Sequence, residues 1–140
     1  MNEDFVPYEL AKKLKEKGFK EKCIAAYDIE DGEFGFNNYV ISLAYKMNVT
    51  AKDCLRLFNN TNIGRIDAPT ISQVLKWLRE EKKIFLSVDI SRMGWFYVIS
   101  PITTEDGKEI CREYEVDNKD FSDYNSAAIA GIEYVIDNLI

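Results

Sequence analysis

The sequence predicts an α+β fold in which an antiparallel three-stranded meander is flanked by helices and preceded by an N-terminal helix and a β-hairpin. Two observations support this prediction. Apolar residues recur at helical spacing on both sides of the segment from Ile84 to Val116, and within that segment apolar and polar residues alternate between turn sequences. At 140 residues, 46% of them hydrophobic, the chain has the length and composition of one globular domain. We therefore expect a single domain over 1–140, with a helix, hairpin and variable helical segment over 1–66 and an α-β-β-β-α unit over 67–140.

The first predicted element is a short amphipathic helix. Pro7 stands at its start, where proline is tolerated, and Leu10 and Leu14 share one face. Gly18 is the expected end, because glycine adopts the left-handed conformation that closes many helices.

The sequence indicates a β-hairpin clearly, whereas the secondary structure of the segment after it is ambiguous. Runs of strand-forming residues from Cys23 to Ile29 and from Glu33 to Phe36 are separated by Asp31-Gly32, which is a strong hairpin signal. Tyr39 to Met47 fits a strand or a helix, whereas Thr50 to Phe58 fits a capped helix. The sequence leaves both alternatives open for this middle region.

The second half begins with a helix and a half-buried strand. Thr70 and Gln73 have the spacing of a capping box at the start of the helix, which is predicted to continue through Lys82. Ile84 to Ile90 alternates apolar and polar residues, as expected for a strand with one buried face. The apolar stripe of the helix consists of Ile71, Val74, Leu75 and Leu78.

Two turns and a final helix complete the predicted unit. Ser91 to Gly94 leads into a strand at Trp95 to Ser100, and Thr104 to Gly107 leads into a third strand at Glu109 to Val116. A helix from Tyr124 onward then presents an apolar face made of Ala127, Ala128, Ile129, Ile132, Val135, Ile136 and Leu139.

This order of elements resembles that of double-stranded-RNA-binding domains, yet the charge points away from nucleic acid. From Asp67 onward the chain has eight Lys and Arg against fourteen Asp and Glu, whereas residues 1–66 balance at ten against ten. Duplex binding in that fold depends on a lysine cluster at the start of the last helix, and here Asp120 to Asn125 stands there instead. Asp and Asn at this place are expected to cap the helix. Nucleic-acid binding is therefore only an alternative hypothesis.

The orientation of the middle strand determines which side chains lie on the sheet face opposite the helices. If Phe96 and Val98 point inward, Trp95 and Tyr97 join Phe85 on the outer face and form an aromatic strip. Two interpretations remain open. The N-terminal hairpin and helix cover the strip as a second core, or the strip is a contact surface for a protein partner or a second copy of the chain. In the second case Phe85, Trp95 and Tyr97 are the candidate contact residues.

The residue inventory excludes several catalytic classes. The sequence contains no histidine, which excludes Ser-His-Asp and Cys-His catalysis and histidine-ligated metal sites. Its three cysteines form no Cys-x-x-Cys pair, so they predict neither a disulfide framework nor a zinc site and fit a reducing compartment; they are Cys23, Cys54 and Cys111.

Carboxylates are the remaining candidates for chemistry. Asp89, Glu113 and Glu115 are predicted to share one sheet face and could serve a metal-dependent hydrolase, although charges on an exposed strand more often confer solubility. Asp28 to Glu33 lacks the spacing of a calcium loop, and Cys111 without a nearby base is expected to be a buried small residue. We expect no catalytic, cofactor-binding or metal-binding residue and no cofactor.

Several motifs resemble a family of proteins. These are Phe5-Val6-Pro7-Tyr8-Glu9-Leu10-Ala11, Ala68-Pro69-Thr70 and Tyr124-Asn125-Ser126-Ala127-Ala128. They are similar to short proteins of uncharacterised function from phages and mobile elements of gut Bacteroidetes bacteria. The resemblance implies a mobile-element origin and the cytoplasm of a bacterial host, and it brings no activity, cofactor or catalytic residue with it.

Together these observations predict a non-enzymatic accessory protein that acts by binding another protein. The start of the chain lacks a basic and apolar leader, and no run of about 18 apolar residues suits a membrane span, so we expect a cytoplasmic protein without membrane contact. Its acidic surface could also occupy a nucleic-acid-binding site of a host enzyme by mimicking phosphates. A nucleic-acid-binding protein and, more distantly, a carboxylate or metal-dependent hydrolase are the alternatives.

Overall fold

The computed structural model describes residues 4–28, 34–36, 65–112, 114, 118 and 120–140. The chain divides into two compact units, Met1–Thr70 and Ile71–Ile140. The predicted alternatives for Tyr39 to Met47 and Thr50 to Phe58 lie outside the described residues.

The first unit begins with the predicted helix. Helix α1 spans Tyr8–Glu16 and buries Leu10, Ala11 and Leu14. It ends at a left-handed Gly18 with φ of +93°, where the Gly18 N–H donates to the Lys15 carbonyl and the next N–H donates to the Leu14 carbonyl. These are the two hydrogen bonds of a Schellman motif, so the predicted role of Gly18 is confirmed.

A three-stranded antiparallel sheet follows in the same unit, in the order β2-β1-β3. Strand β1 spans Ala25–Asp28, β2 spans Phe34–Phe36 and β3 spans Arg65–Asp67. The pairing of β1 with β2 confirms the predicted hairpin, although its Asp31-Gly32 turn lies outside the described residues. Strand β3 was not predicted, because three residues are too few to show an alternating pattern.

The start of α1 is tied to the sheet of this unit by hydrogen bonds. The Tyr27 hydroxyl in β1 donates to the Val6 carbonyl at 2.7 Å, and the Val6 N–H donates to the Pro69 carbonyl at 3.0 Å. Cys23, which precedes β1, is fully buried, and burial raises the pKa of its thiol.

The second unit has the predicted α-β-β-β-α order. Its elements are α2 (Ile71–Glu81), β4 (Ile84–Ser91), β5 (Gly94–Glu105), β6 (Lys108–Cys111) and α3 (Tyr124–Asn138). The strands form an antiparallel meander in the order β4-β5-β6. Helices α2 and α3 contact each other, and both contact β4. The predicted fold class, an α+β chain with a meander flanked by helices, is confirmed.

Both turns of the meander are tight. Ser91 pairs with Gly94 across the first turn, and Glu105 pairs with Lys108 across the second. In the second turn Asp106 has φ of 50° and Gly107 has φ of 76°, the two positive values that a type I′ turn requires. Asp-Gly is a preferred sequence for that turn, which explains why the prediction succeeded here.

The continuous part of the third strand is shorter than the predicted Glu109 to Val116, and residues 113, 115 and 116 of that range lie outside the described residues. Strand β6 ends at Cys111 rather than at Val116, yet the edge of β5 beyond it stays hydrogen-bonded. The Tyr114 N–H donates to the Ile99 carbonyl at 2.7 Å, and Phe121 exchanges two backbone hydrogen bonds with Trp95 at 2.6 and 2.9 Å. The Ile99–Tyr114 pair continues the register of the Ile102–Cys111 pair, and Phe121 pairs with β5 farther along the same edge.

Candidate functional site

The strand register places the predicted contact residues on two different faces. Directly opposed residues of paired strands share a face, and β4 opposes β5 with Val88 against Tyr97 and Ile90 against Trp95. Phe85 opposes Ser100 and therefore lies on the other face. The predicted outer strip of Phe85, Trp95 and Tyr97 was wrong, because Trp95 and Tyr97 belong to the face that the helices cover.

Close packing of α3 explains this choice of face. A Cβ added at Gly131 would lie 2.9 Å from Leu86 Cδ1 and 3.0 Å from Tyr97 Cγ, so this glycine lets the helix approach the sheet directly over both side chains. Strand β5 has apolar side chains in both phases, so its alternation alone could not decide which set points inward.

Tyr97 is part of the core of the second unit. It is 6% exposed, and its ring lies 6.2 Å from the ring of Phe121 and 6.5 Å from that of Tyr134. Burial raises the pKa of its phenol. A partner therefore has little of Tyr97 to contact in the folded chain.

Trp95 lies at the border between this core and the surface. Its side chain is half-buried and meets the ring of Tyr124 edge to face, with 5.9 Å between the centroids. Tyr124 is the first residue of α3 and is 41% exposed. The strand pairing sets Trp95 beside Ile90, which is 64% exposed.

These residues form an exposed apolar surface at the end of the β4-β5 hairpin. Met93, in the turn, is 80% exposed and is the most exposed of the large hydrophobic side chains described. We call the surface formed by Ile90, Met93, Trp95 and Tyr124 the hairpin-end patch. Of these four residues, only Trp95 was predicted as a contact residue. The available signal for Met93 was its position, since an apolar side chain in a two-residue hairpin turn has no core to enter.

Two carboxylates belong to the segment that borders the patch. Asp123 is the N-cap of α3, as predicted for this segment: its Oδ1 accepts the Ser126 N–H at 2.7 Å, and this hydrogen bond lowers the pKa of the carboxyl group. Asp120 lies beside Gly94, where an added Cβ would be 3.2 Å from the Asp120 Cβ. Both side chains belong to exposed residues, and the exposed Arg92 in the turn has the opposite charge.

Phe85 and Tyr114 are exposed aromatic residues outside the patch, each 41% exposed. Phe85 lies on the sheet face opposite α3, with half-buried Phe96 and Val98 on the same face of β5. Tyr114 packs near Tyr134, with 6.3 Å between the ring centroids, and its hydrogen bond raises the pKa of the Tyr134 phenol.

The carboxylates and the cysteine considered for chemistry lie only partly within the described residues. Within the described ranges no three Cys, Asp and Glu side chains are grouped so as to hold a metal ion. Asp89 is exposed on β4, whereas Glu113 and Glu115 lie outside the described residues. Cys111 was expected to be buried and is exposed on β6, where it opposes Ile102 on the sheet face opposite α3.

Comparison with known proteins gives no match to a family model, to a curated protein or to a solved structure. Among the described helices, none is long and apolar enough to cross a membrane. The geometry of the second unit is therefore the basis for a functional proposal.

Proposed function

We propose that this chain is a non-enzymatic protein-interaction module and that the hairpin-end patch is its contact surface. In this proposal the protein is an accessory protein of a phage or related mobile element and acts in the cytoplasm of the bacterial host. The observation that supports this most is the exposure of Ile90, Met93 and Tyr124 next to Trp95 at one end of the second unit. Met, Tyr and Trp are enriched at protein interfaces, and Tyr and Trp are frequent among the few residues that supply most of the binding energy.

The patch replaces the predicted outer strip as the proposed contact. Of the three candidate residues, Trp95 is retained because it packs against Tyr124 within the patch. Tyr97 is buried in the core, and Phe85 lies on the other face of the sheet. Neither is proposed as a contact residue of this surface.

Capture from a host lysate after nuclease treatment tests the proposal. Wild-type protein is compared with a Met93→Ser, Tyr124→Ser double variant, since both side chains are exposed and their replacement should leave the fold intact. Phe85→Ser is the matched control, because it also removes an exposed aromatic side chain but on the opposite sheet face. A protein that the wild type and the control capture and the double variant loses is the expected result.

Other results count against the proposal. If the double variant captures the same proteins as the wild type, the patch is not the contact surface. Partners that disappear with nuclease treatment would favour the nucleic-acid alternative, which the acidic segment Asp120 to Asn125 otherwise disfavours.

A second copy of the chain is the other proposed occupant. Sedimentation velocity over a range of protein concentrations detects it directly. A dimer that the wild type and Phe85→Ser form and that Met93→Ser, Tyr124→Ser does not form would identify the patch as a homodimer interface.

A further inference from the structure

We infer that the outer edge of β4, from Val88 to Ser91, binds an extended segment of a partner protein as an added antiparallel strand. In that segment a basic residue between two apolar residues lies opposite Asp89. This inference rests on the proposed function, because Ile90 belongs to the hairpin-end patch, and it specifies how the partner binds. Backbone hydrogen bonds to a sheet edge supply affinity in this binding mode, and alternate side chains supply specificity.

The backbone groups of β5 show which residues of β4 point outward. Phe121 exchanges two backbone hydrogen bonds with Trp95, on the side of β5 away from β4. The side chain of Asn118 bonds both backbone groups of Tyr97 on that same side. Trp95 and Tyr97 therefore direct no backbone hydrogen bond toward β4.

Ile90 and Val88 are the β4 residues opposite Trp95 and Tyr97. When two opposed residues of an antiparallel pair do not bond each other, both direct their N–H and C=O groups to the far sides. Strand β4 is the first strand of the order β4-β5-β6, so these groups point to the sheet edge. Within the described ranges, no hydrogen bond reaches the backbone of Val88 or Ile90 from outside the sheet.

The accessible half of this edge is at the hairpin end. Asp89 and Ser91 are exposed, Ile90 is 64% exposed and Val88 is half-buried. Toward α2 the strand is covered, since Leu86 is 4% exposed. An added strand therefore pairs with the hairpin half of β4, next to the hairpin-end patch.

Strand β4 has few of the devices that keep sheet edges from pairing. Such edges usually contain proline, a β-bulge or several charged residues. Strand β4 pairs with β5 over consecutive residues from Ile84 to Ser91 without a bulge, and it contains neither proline nor glycine. Its one charged residue is Asp89. The backbone of β4 is thus regular enough to accept a further strand.

Asp89 determines which strand fits. If Val88 and Ile90 both exchange hydrogen bonds with the added strand, Asp89 faces a residue of that strand in a closely spaced pair without hydrogen bonds. Asp89 forms no ion pair with another described residue. A second copy of β4 in this register would set Asp89 against the same residue of the other copy, and directly opposed like charges destabilise a strand pair. A basic residue there forms a favourable pair instead.

The two neighbours of that basic residue are expected to be apolar. They lie opposite Val88 and Ile90, whose side chains are on the α3 side of the sheet. An apolar side chain opposite Ile90 would extend the hairpin-end patch and reduce the exposure of this residue. The partner segment is therefore apolar, basic and apolar in succession.

Fluorescence anisotropy with labelled synthetic peptides tests the inference. The probe is a short peptide in which valine and lysine alternate, and its comparison has glutamate in place of lysine. We expect the lysine peptide to bind and the glutamate peptide to bind at least about tenfold more weakly, because glutamate opposes Asp89 and the acidic charge of the second unit.

Two N-methylated forms of the lysine peptide separate strand addition from attraction between charges. Methyl groups on the valine amides remove the donors that would bond to β4, so binding should be lost. Methyl groups on the lysine amides lie on the side of the added strand away from β4 and should weaken binding by less than about threefold. Both forms have the same charge and the same side chains. Equal binding by the two forms would overturn the inference.

Variants of the protein test the same edge. Ile90→Pro removes an N–H that β5 does not use, so the hairpin should persist, whereas binding should weaken at least about tenfold. Ile90→Thr also removes the apolar side chain but keeps the N–H, and it should weaken binding by only about threefold. Circular dichroism confirms that both variants are folded. Equal weakening would show that the side chain rather than the backbone makes the contact.

The charge has its own matched pair of variants. Asp89→Asn should weaken binding of the lysine peptide about threefold and strengthen binding of the glutamate peptide. Glu133→Gln removes the same charge from an exposed position of α3 and should change either binding by less than about 1.5-fold. The same effect from both variants would mean unspecific attraction to an acidic protein and would reject the role of Asp89.

Amide hydrogen exchange followed by NMR examines the edge directly. In the free protein the amides of Val88 and Ile90 should exchange much faster than those of Ser87 and Asp89, which bond to β5. The lysine peptide should slow the first two. Protection of Val88 and Ile90 without peptide would mean that another part of the chain occupies the edge, and it would overturn the inference.

Absence of lysine-peptide binding at millimolar concentration would overturn the inference too. The capture experiment decides about the proposed function separately. A partner that Met93→Ser, Tyr124→Ser loses and Ile90→Pro retains leaves the interaction module intact and rejects only strand addition at β4.

Discussion

The side chain of Asn118 forms with the backbone of Tyr97 both hydrogen bonds that a neighbouring strand would form. Asn118 Oδ1 accepts the Tyr97 N–H at 3.1 Å, and Asn118 Nδ2 donates to the Tyr97 carbonyl at 3.1 Å. This amide stands between Tyr114, which bonds to Ile99, and Phe121, which pairs with Trp95. It therefore completes the pairing of the β5 edge where β6 has ended, and it anchors the segment that leads to the hairpin-end patch.

Replacing Asn118 should destabilise the second unit more than the loss of one polar side chain usually does. We expect Asn118→Ala to lower the free energy of unfolding by about 2 kcal/mol, because two part-buried backbone groups of Tyr97 lose their partner. Urea unfolding followed by tryptophan fluorescence measures this, since Trp77 and Trp95 both lie in the second unit. Asn138→Ala is the control: its side chain bonds the Tyr134 carbonyl at an exposed helix end and should cost less than about 0.5 kcal/mol. Equal costs would refute the anchoring role.

Tyr97 and Met93 should respond to truncation in opposite ways. Tyr97→Ala should cost about 3 kcal/mol, because it leaves a cavity beneath α3. Met93→Ala should change stability by less than about 0.5 kcal/mol, because the side chain is exposed in a turn. Thermal unfolding followed by circular dichroism compares the two. A Tyr97→Ala protein as stable as the wild type would contradict the assignment of this residue to the core.

Gly131→Ala should not give the stabilisation that alanine usually brings to a helix. Helix propensity alone favours alanine by about 1 kcal/mol, but overpacking against Leu86 and Tyr97 costs about 1–3 kcal/mol. We expect a net loss of about 1 kcal/mol in urea unfolding. A Leu86→Ala background makes room at the clash, so the same substitution should cost less there; an unchanged cost would show that steric contact is not the cause.

The Asp123 cap should make the stability of the second unit pH-dependent in acid. The Ser126 N–H lowers the pKa of this carboxyl group below its ordinary value of 3.8, so the folded state favours the ionised form. The contribution is complete above pH 3.8 and is lost as the pH falls through the lower folded-state pKa. Unfolding midpoints measured from pH 6 downward should fall less steeply in Asp123→Asn, which keeps the acceptor without the ionisation. Identical slopes for both proteins would contradict the prediction.

The two described cysteines should differ in reactivity. In a Cys54→Ser background, a thiol reagent at neutral pH should modify Cys111 quickly, because it is exposed on β6, and Cys23 only after unfolding. Cys23 is fully buried and burial raises the pKa of its thiol, so both access and the thiolate fraction are low. Fast modification of two thiols in the folded protein would show that the first unit opens readily at Cys23.

Local signals in the sequence were enough for much of the second unit. The type I′ turn was predictable because Asp106-Gly107 prefers positive φ, and the cap of α3 because aspartate accepts the first free N–H groups of a helix. The pairing of the β5 edge beyond Cys111 was not predictable in this way. Only the hydrogen bonds from Tyr114, Asn118 and Phe121 show which of the described residues pair with β5 there.

The sequence by itself determined the order of most helices and strands, the end of α1, the start of α3 and the tight turns, because each depends on residues close together in the chain. It also determined the absence of histidine chemistry, which follows from composition alone. The tertiary structure alone decided which side of β5 is buried. Both alternating sets of side chains in that strand are apolar, so the period-two pattern does not show which set faces the core. Contact of Gly131 in α3 with Leu86 and Tyr97 selects one of them, and the choice leaves Ile90, Met93, Trp95 and Tyr124 as the surface at the hairpin end.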